Sequence, residues 1–292
     1  GRPPVSELDV FLEQRPRLFS IAYRMLGRAT EAEDVLQEAY LRWQSAPRED
    51  VESAPAFLTS VVVRLSIDVL RSARVRREAY VGPWLPEPLV ADTAPGPDEA
   101  AELADSVSLA FLVLLEELTP VERAVFLLRE VFGYDYPTVA AMVGKSEANC
   151  RQLVVRGKQR VAERRTRFEA DSVHGRELTA RFLAACSTGD LDGLLGMLAD
   201  DVVVWSDGGG KVQAARRPVA GRDKAARFLI GIAEKGGEFD GRLVAVNGQP
   251  GGIFGHDGRI EYAMALDVLD GQIVGVRVIA NPDKLQHLQP QP

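Results

Sequence analysis

Two groups of arginines carry the strongest chemical signal in this sequence. The first group lies at residues 64–77 and the second at residues 151–167, and each contains a single acidic residue. Basic clusters of this density attract phosphate, so both predict contact with a nucleic-acid backbone. The basic residues are Arg64, Arg71, Arg74, Arg76 and Arg77 in the first group, and Arg151, Arg156, Lys158, Arg160, Arg164, Arg165 and Arg167 in the second.

The distribution of charge along the chain supports this prediction although the total does not. The 292 residues carry a formal net charge of −7. Residues 119–170 nevertheless carry a net charge of +4, whereas residues 81–118 contain no basic residue and carry −8. Phosphate attraction acts through local surface charge. The acidic stretch contains five prolines, which predicts an acidic, proline-rich linker over residues 81–105 that acts as a flexible tether.

A third set of side chains could perform acid–base chemistry, which needs a carboxylate or histidine held in a pocket. The candidates are Asp207, His256, Asp257 and Tyr262. Both aspartates precede glycine and His256 lies between glycines, so ordinary turns are the favoured interpretation.

Metal and membrane sites are not expected. Three histidines and two cysteines provide no cluster for structural zinc, and we expect no metal and no cofactor. Two cysteines are also too few for a disulfide framework, which predicts a cytoplasmic, reducing location. No apolar run is long enough to span a membrane. Cys150 is expected to fill a core.

Helical periodicity positions the first arginine group. Apolar residues from Ala32 to Trp43 recur at i, i+3, i+4 and i+7, which predicts an amphipathic helix with Thr30 as its N-cap. A preceding helix ends at Gly27, and a third begins at Pro55. Residues 7–80 are therefore predicted to form a helical bundle.

The second arginine group lies on the last helix of a predicted helix-turn-helix. Thr119-Pro120 begins one helix, which Gly133 ends, and Tyr136-Pro137 begins a short helix that ends at Gly144. Ser146 caps the long basic helix that follows. A basic second helix after a tight, glycine-containing turn is typical of DNA-binding helix-turn-helix motifs.

The chain from residue 174 onwards has a different pattern. Two helices, separated at Gly189-Asp190, precede five strand-like segments, and Asp270-Gly271 is typical of a hairpin turn. This order predicts an α+β cone with a curved antiparallel sheet.

These motifs resemble a known family. The stretches LFSIAYRMLGRATEAEDVLQEAYLRW, AFLTSVVVRLSIDVLRSARVRRE and LTPVERAVFLLREVFGYDYPTVAAMVGKSEANCRQLVVRGKQRV resemble regions 2 and 4 of bacterial extracytoplasmic-function sigma factors. Residues 174–281 resemble a SnoaL-like domain of the nuclear-transport-factor-2-like fold, which one group of these factors carries. The implied fold is multidomain: two all-α sigma domains, one a region 2 helical bundle and one a region 4 helix-turn-helix, followed by an α+β cone.

The resemblance implies sites for two partners, core RNA polymerase and promoter DNA. Polymerase would contact Asp34, Gln37, Glu38 and Leu41. The −10 element would be melted and held by the helix of Arg64, Arg71, Arg74, Arg76 and Arg77. Within that helix we expect Asp68 to orient a neighbouring arginine rather than to touch DNA. The −35 element would contact Ser146, Arg151, Gln152, Val155, Arg156, Lys158 and Arg160.

The resemblance also implies the domain order and the regulatory residues. The expected segments are region 2 at 5–80, the linker at 81–105, region 4 at 106–168, the SnoaL-like domain at 172–281 and a tail at 282–292. Three motifs are expected to regulate activity in cis, and they comprise Trp84, Leu85 and Pro86; Asp207, Gly208, Gly209, Gly210 and Lys211; and Asn281, Pro282, Asp283, Lys284 and Leu285.

The leading hypothesis is a promoter-specificity subunit that is not itself an enzyme. One alternative is a bifunctional protein whose SnoaL-like domain binds or converts a small hydrophobic metabolite. The other is a helix-turn-helix regulator that acts without polymerase.

Overall fold

The computed structural model describes residues 6–47, 51, 53–91, 108–162, 172–237 and 239–290. It divides into two compact units. The first comprises Gly1–Glu78 with Leu114–Arg164, and the second comprises Ala79–Val113 with Arg165–Pro292. No helix in the described residues is long and apolar enough to cross a membrane.

Three helices form the first part of the first unit: α1 (Glu7–Leu26), α2 (Ala29–Ser45) and α3 (Ala54–Glu78). Ser6 and Asp9 form a capping box at the start of α1, and Gly27 ends that helix with a φ of 68°. The predicted N-cap of α2 is wrong. The helix begins at Ala29, so Thr30 lies inside it, because burial of Ala29 and Ala32 extends the helix towards Gly27.

The remaining helices of this unit begin and end close to the residues that the sequence predicted. They are α4 (Leu109–Leu115), which begins in the second unit, α5 (Pro120–Phe126) with a π-helical turn at Leu127–Val131, α6 (Tyr136–Val143) and α7 (Glu147–Ala162). Thr119 and Glu122 form a capping box, and Asp135 caps α6. Gly144 ends α6 in the left-handed region with a φ of 66°. The helix-turn-helix prediction is therefore confirmed.

The second unit contains helices packed on a seven-stranded sheet. Its elements are α8 (Ser172–Thr188), α9 (Leu191–Met197), β2 (Leu198–Asp207), β3 (Val219–Ala220), α10 (Arg222–Gly236), β4 (Asp240–Val246), β5 (Gln249–His256), β6 (Arg259–Leu269), β7 (Gln272–Ile279) and α11 (Pro282–Leu285). A 3₁₀ turn, Gln286–Leu288, follows α11, and β1 (Val90–Ala91) comes from the predicted linker.

The sheet is mixed rather than antiparallel. The strand order is β1-β4-β5-β6-β7-β2-β3, and β2 runs parallel to β7. The prediction was wrong here because α10 carries the chain across the sheet between β3 and β4. The β4–β7 meander then returns the last strand alongside β2 in the same direction. The α-helical and α+β classes of the two parts are confirmed.

Each face of the sheet has its own hydrophobic core. On one face, Phe182 of α8 and Leu229 of α10 pack against Val204 and Leu266 of the strands. The opposite face, called the outer face below, carries a cluster of Leu85, Leu109, Val246, Ile253, Ala263, Ala265, Ile279 and Leu285. Alternation of side chains along the strands separates the two sets.

The described part of the predicted linker is not a free tether. Val90 and Ala91 pair with Val246 and Ala245 of β4, and Leu85 is buried in the outer-face cluster. The prediction from proline and charge content failed because Leu85 supplies apolar surface that the sheet buries. Residues 92–105 of the predicted linker lie outside the described residues.

A cavity in the helix-covered core should expose Cys186. Phe182 is fully buried one turn away from Cys186, and burial raises the pKa of that thiol to about 12. Removing a buried phenylalanine ring costs about 3 kcal/mol or more. Because a buried thiol reacts when the core opens, Phe182→Ala should accelerate labelling of Cys186 by a thiol reagent about 100-fold.

Two controls accompany this measurement. Val212→Ala, at an exposed position of the same unit, should leave the labelling rate of Cys186 unchanged. Labelling of Cys150, which is buried in the first unit, should not respond to Phe182→Ala. Equal Cys186 rates in Phe182→Ala and the wild type would contradict the described core.

Candidate functional sites

Helix α2 presents one polar face to solvent. Asp34, Gln37, Glu38 and Leu41 are exposed, while Trp43 and the rest of the apolar stripe are buried. Leu41 is 58% exposed, and Glu38 pairs with Arg42 at 2.9 Å. The structure thus brings the four predicted residues together as a small acidic face with one apolar residue.

Helix α3 carries the first arginine group, of which two side chains are described in detail. Arg71 pairs with Asp68 at 3.2 Å, as the sequence suggested for that aspartate. Arg64 donates to the main-chain carbonyls of Met142 and Ala141 at 3.1 and 3.3 Å. These carbonyls lie in the last turn of α6, where helices leave acceptors unsatisfied. The side chains of Arg74, Arg76 and Arg77 lie outside the described residues.

A second arginine of the same unit, Arg123, also donates to a main-chain carbonyl at the end of a helix. Arg123 of α5 donates to the carbonyl of Met25, in the last turn of α1, at 2.6 Å and to Glu116 at 2.7 Å. Burial lowers the pKa of Arg123 to about 9. Arginines of α3 and α5 thus each cap a helix from the other half of this unit. The sequence reasoning missed Arg123, although a single arginine within the apolar run of α5 was visible.

Tyr134 adds a further contact between the two halves of the first unit. Its hydroxyl lies 3.2 Å from Nε of Arg17 and 3.4 Å from Oγ1 of Thr59. The Arg17 guanidinium also lies over the tyrosine ring, 5.1 Å from its centroid. No sequence pattern pointed to Tyr134.

The second helix of the helix-turn-helix exposes the predicted reading face. Gln152, Val155 and Arg156 are exposed, and Val155 is 56% accessible. Arg151 lies over the ring of Tyr136, 4.2 Å from its centroid, and 3.6 Å from Glu147, so its guanidinium contacts side chains of both α6 and α7. On the opposite face Cys150 is fully buried, and burial raises the pKa of its thiol.

Three other predicted residues of this helix have partners in the fold. The hydroxyl of Ser146 accepts from the amide of Asn149 at 3.3 Å, which is the predicted capping role. Lys158 pairs with Glu130 at 2.7 Å, and Arg160 pairs with Glu122 at 2.9 Å. Burial opposes ionisation of Glu122, but hydrogen bonds from Thr119 and the charge of Arg160 lower its pKa overall. Arg164, Arg165 and Arg167 lie outside the described residues.

The predicted regulatory motifs meet at the carboxylate of Asp207. This side chain is completely buried at the end of β2. It accepts from the hydroxyl of Tyr80 at 2.6 Å, the amide of Leu85 at 2.7 Å, the amide of Gly209 at 3.1 Å and Nζ of Lys284 at 2.6 Å. The interpretation of Asp207 as an ordinary turn residue is wrong, because four donors from three chain segments converge on it.

The neighbours of Asp207 complete this cluster. Lys284 is 3% exposed, also donates to the carbonyl of Leu85, and lies 4.5 Å from the ring centroid of Trp84. Asn281 donates to the hydroxyl of Tyr80 at 2.8 Å. Because the Asn281 side chain lies against Gly209, where a Cβ would clash, and φ is 59°, this position requires glycine. Sequence reasoning missed Tyr80.

The other motif residues surround the cluster. Lys211 and Asp283 form an exposed ion pair with a 2.6 Å separation. Gly210 has a φ of 73°, and Pro282 is the first residue of α11. Three further motif residues are buried: Pro86, Gly208 and Leu285.

A second buried polar cluster lies on the outer face of the sheet. Asp267 of β6 and Arg277 of β7 form an ion pair, and both side chains are at most 4% exposed. Gln249 donates to Asp267 at 2.5 Å and accepts from the amide of Leu109 at 3.0 Å. Burial lowers the pKa of Arg277 to about 9. Single charges within the apolar strands AMALDVL and VGVRVIA were the signal that could have found this pair.

The remaining acid–base candidates do not converge on one site. His256 is the last residue of β5 rather than part of a loop. It contacts Glu261 at 3.1 Å and the carbonyl of Gly236 at 2.9 Å, and these hydrogen bonds raise its pKa. Asp257 is exposed in a turn with a φ of 50°. Tyr262 packs edge-on against Phe239. Among the described residues, no group of histidine, cysteine or acidic side chains is arranged to hold a metal.

Comparison with known proteins accounts for the two helical regions. A model of sigma-70 region 2 matches residues 10–76, and a model of sigma-70 region 4 matches residues 108–161. The ECF RNA polymerase sigma factor SigJ of Mycobacterium tuberculosis is 38% identical over 291 residues, which cover 95% of this chain and 93% of SigJ. The probable ECF RNA polymerase sigma factor SigI of that species is 32% identical and is covered to 93%.

The similarity extends to the whole fold. The crystal structure of Mycobacterium tuberculosis SigJ superposes with a TM-score of 0.76 at 35% sequence identity, covering 96% of this chain and 98% of SigJ. The similarity therefore includes the α+β part as well as the two helical regions. This chain belongs to the extracytoplasmic-function family of RNA polymerase sigma factors.

Proposed function

We propose that this sigma factor binds core RNA polymerase through α2, engages the −10 element through α3 and reads the −35 element through α7. The observation that carries the proposal is the exposed face of α7, where Gln152, Val155 and Arg156 project from a helix-turn-helix whose other face is buried. Catalysis of RNA synthesis belongs to the polymerase, and we assign no catalytic residue to this chain. We propose a cytoplasmic location, where polymerase and promoter DNA are found.

The polar face of α2 suits a protein interface better than a nucleic-acid contact. Asp34 and Glu38 would repel phosphate, whereas an exposed leucine within a polar rim matches the composition of protein–protein contacts. Leu41 is the apolar residue of this face. We therefore assign Asp34, Gln37, Glu38 and Leu41 to the polymerase contact.

The basic face of α3 is proposed to hold the −10 element. Arginines along this helix can track phosphates and stack on exposed bases. Arg64 already satisfies two carbonyls of α6. Arg64 can therefore contact DNA only if its guanidinium leaves these carbonyls and binds phosphate instead. This exchange would break the hydrogen bonds between α3 and α6.

The residues of α7 divide into two roles. Arg151 and Gln152 lie in its first half, the part of a recognition helix that reaches base edges, and Val155 and Arg156 follow within about one turn. Arginine pairs with guanine and glutamine with adenine in the major groove. Arg160, in contrast, forms an ion pair with the carboxylate of Glu122, whose side chain is only 6% exposed. Arg160 therefore stabilises the fold in addition to any contact that it makes with phosphate.

The α+β part is proposed to regulate transcription in cis. Its strand end at Asp207 holds Tyr80 and Leu85, which follow directly after α3. Any change that weakens this buried cluster would free the chain after region 2. A coupling of this kind needs two states that the cluster stabilises to different extents.

A groove on the outer sheet face supports ligand binding as a second candidate function. It encloses about 690 Å³ and is lined by Arg242, Arg259, Ile253, Ile260 and Leu288, among others. A lining that combines two arginines with apolar side chains suits an amphipathic acid. A ligand that binds there would raise the thermal stability of the full chain, and the gain would grow with the logarithm of its concentration above Kd.

Co-purification with core polymerase tests the proposal and its polymerase face together. The wild-type chain should bind core polymerase, and Leu41→Asp should weaken binding about 30-fold or more, because a buried charge replaces a central apolar contact. Leu12→Asp, at a 51% exposed leucine of α1, is the matched control and should bind as the wild type does.

The outcome also distinguishes the alternatives. Loss of binding in both leucine variants, or in neither, would contradict the assignment of α2. A chain that ignores polymerase but binds duplex DNA tightly by itself would instead be a stand-alone helix-turn-helix regulator.

Run-off transcription tests the reading face of α7. With a promoter selected by the wild-type holoenzyme from a random library, Gln152→Ala should lower transcript yield about 5- to 100-fold and relax preference at one −35 position. Gln159→Ala is the control, because this exposed glutamine lies two turns further along the same helix, beyond its first half. Equal losses in both variants would show that α7 does not read bases through its first half.

A further inference from the structure

The segment between the two sigma regions is held at both of its ends by one face of one sheet. Leu85, shortly after region 2, and Leu109, at the start of region 4, belong to the same hydrophobic cluster on the outer face. Leu85 is anchored by Asp207, as described above. Leu109 is anchored separately, through its main-chain amide, by Gln249.

The chemistry of Gln249 shows that its side-chain oxygen is directed at this amide. Its Nε2 donates to Asp267 at 2.5 Å and to the carbonyl of Leu266 at 3.4 Å, which leaves Oε1 as the acceptor for Leu109. Gln249 is only 7% exposed. Withdrawal of Leu109 would leave a buried amide oxygen without this donor, a state that costs free energy.

The ion pair beneath Gln249 fixes the orientation of its amide. Asp267 accepts from both Gln249 and Arg277, and Arg277 also lies 4.4 Å from the ring centroid of Trp205. These contacts come from β2, β6 and β7, three neighbouring strands of the sheet. The acceptor for Leu109 is therefore preorganised rather than carried on a mobile side chain.

Anchoring both ends reduces the reach of the intervening chain. The 24 residue steps from Leu85 to Leu109 could span about 80 Å when extended. Both residues instead lie in one cluster on a single sheet. The −10 and −35 elements are named for promoter positions that differ by about 25 base pairs. This difference corresponds to roughly 85 Å along B-DNA.

We propose that the α+β domain clamps both ends of the segment that joins the two sigma regions, and that Gln249, oriented by Asp267 and Arg277, is the second anchor. The clamp restrains the separation of the two regions, and release of the Leu109 end restores the reach of the joining chain. This proposal rests on the proposed function only for its effect on transcription.

Hydrogen exchange in the full-length chain tests the anchor directly. Gln249→Met removes the acceptor with little change of volume, and we expect about fivefold faster amide exchange at residues 108–113, with residues 80–89 unchanged. Gln272→Met, at an exposed glutamine of β7, is the matched control. Asp207→Asn should show the opposite pattern, with faster exchange at 80–89.

A second variant guards against unfolding of the sheet. Leu109→Pro removes the donor amide at the first residue of α4, where helices accept proline. It should also accelerate exchange at 110–113, while slow labelling of Cys186 confirms that the sheet domain remains folded. Wild-type exchange at these residues in both Gln249→Met and Leu109→Pro would overturn the anchor.

The transcriptional consequence has its own readout. At limiting sigma factor, Gln249→Met should raise run-off yield about fivefold over Gln272→Met with unchanged polymerase binding. Unchanged or lower yield would overturn the restraining role of the clamp. If the wild-type chain gave no transcript, the proposed function would fail, and the exchange measurement would still decide the anchor by itself.

Discussion

The arrangement of the second unit depends on one buried carboxylate. A charge without water is tolerated only when ion pairing and hydrogen bonds replace its hydration. Asp207 meets this condition with the ammonium of Lys284, the hydroxyl of Tyr80 and two main-chain amides. Because these donors come from segments about 120 residues before and 77 residues after Asp207, its burial requires that all three segments be in place together.

This requirement explains why the chain after region 2 is part of the α+β unit. The main-chain amide of Leu85 binds Asp207, and its carbonyl accepts from Lys284, so both polar groups of this residue are committed to the cluster. The first unit uses the same chemistry differently. Arg64 and Arg123 are cations that satisfy carbonyls at helix ends, where the helix dipole also favours positive charge. Charged groups thus determine how segments distant in sequence are joined within each unit.

Local signals predicted the helical regions well and the polar clusters poorly. Gly27, Pro120 and Gly144 mark helix ends because their backbone restrictions act within a few residues. Thr30 failed as a cap because burial of Ala29 extends α2 beyond the predicted start. The pairing of β2 with β7, the anchoring of Leu109 by Gln249 and the burial of Asp207 all depend on contacts between distant segments, which no local pattern encodes. The predicted polymerase and −35 residues lie on exposed faces, and those assignments stay predictions.

We propose that the buried carboxylate of Asp207 regulates the activity of this sigma factor. Run-off transcription by core polymerase with Asp207→Asn tests it most directly, with Asp257→Asn as the control, since Asp257 is also followed by glycine but is exposed in a turn. Asp207→Asn should change transcript yield while polymerase binding is retained, and Asp257→Asn should change neither. Identical yields from Asp207→Asn and the wild type would contradict it.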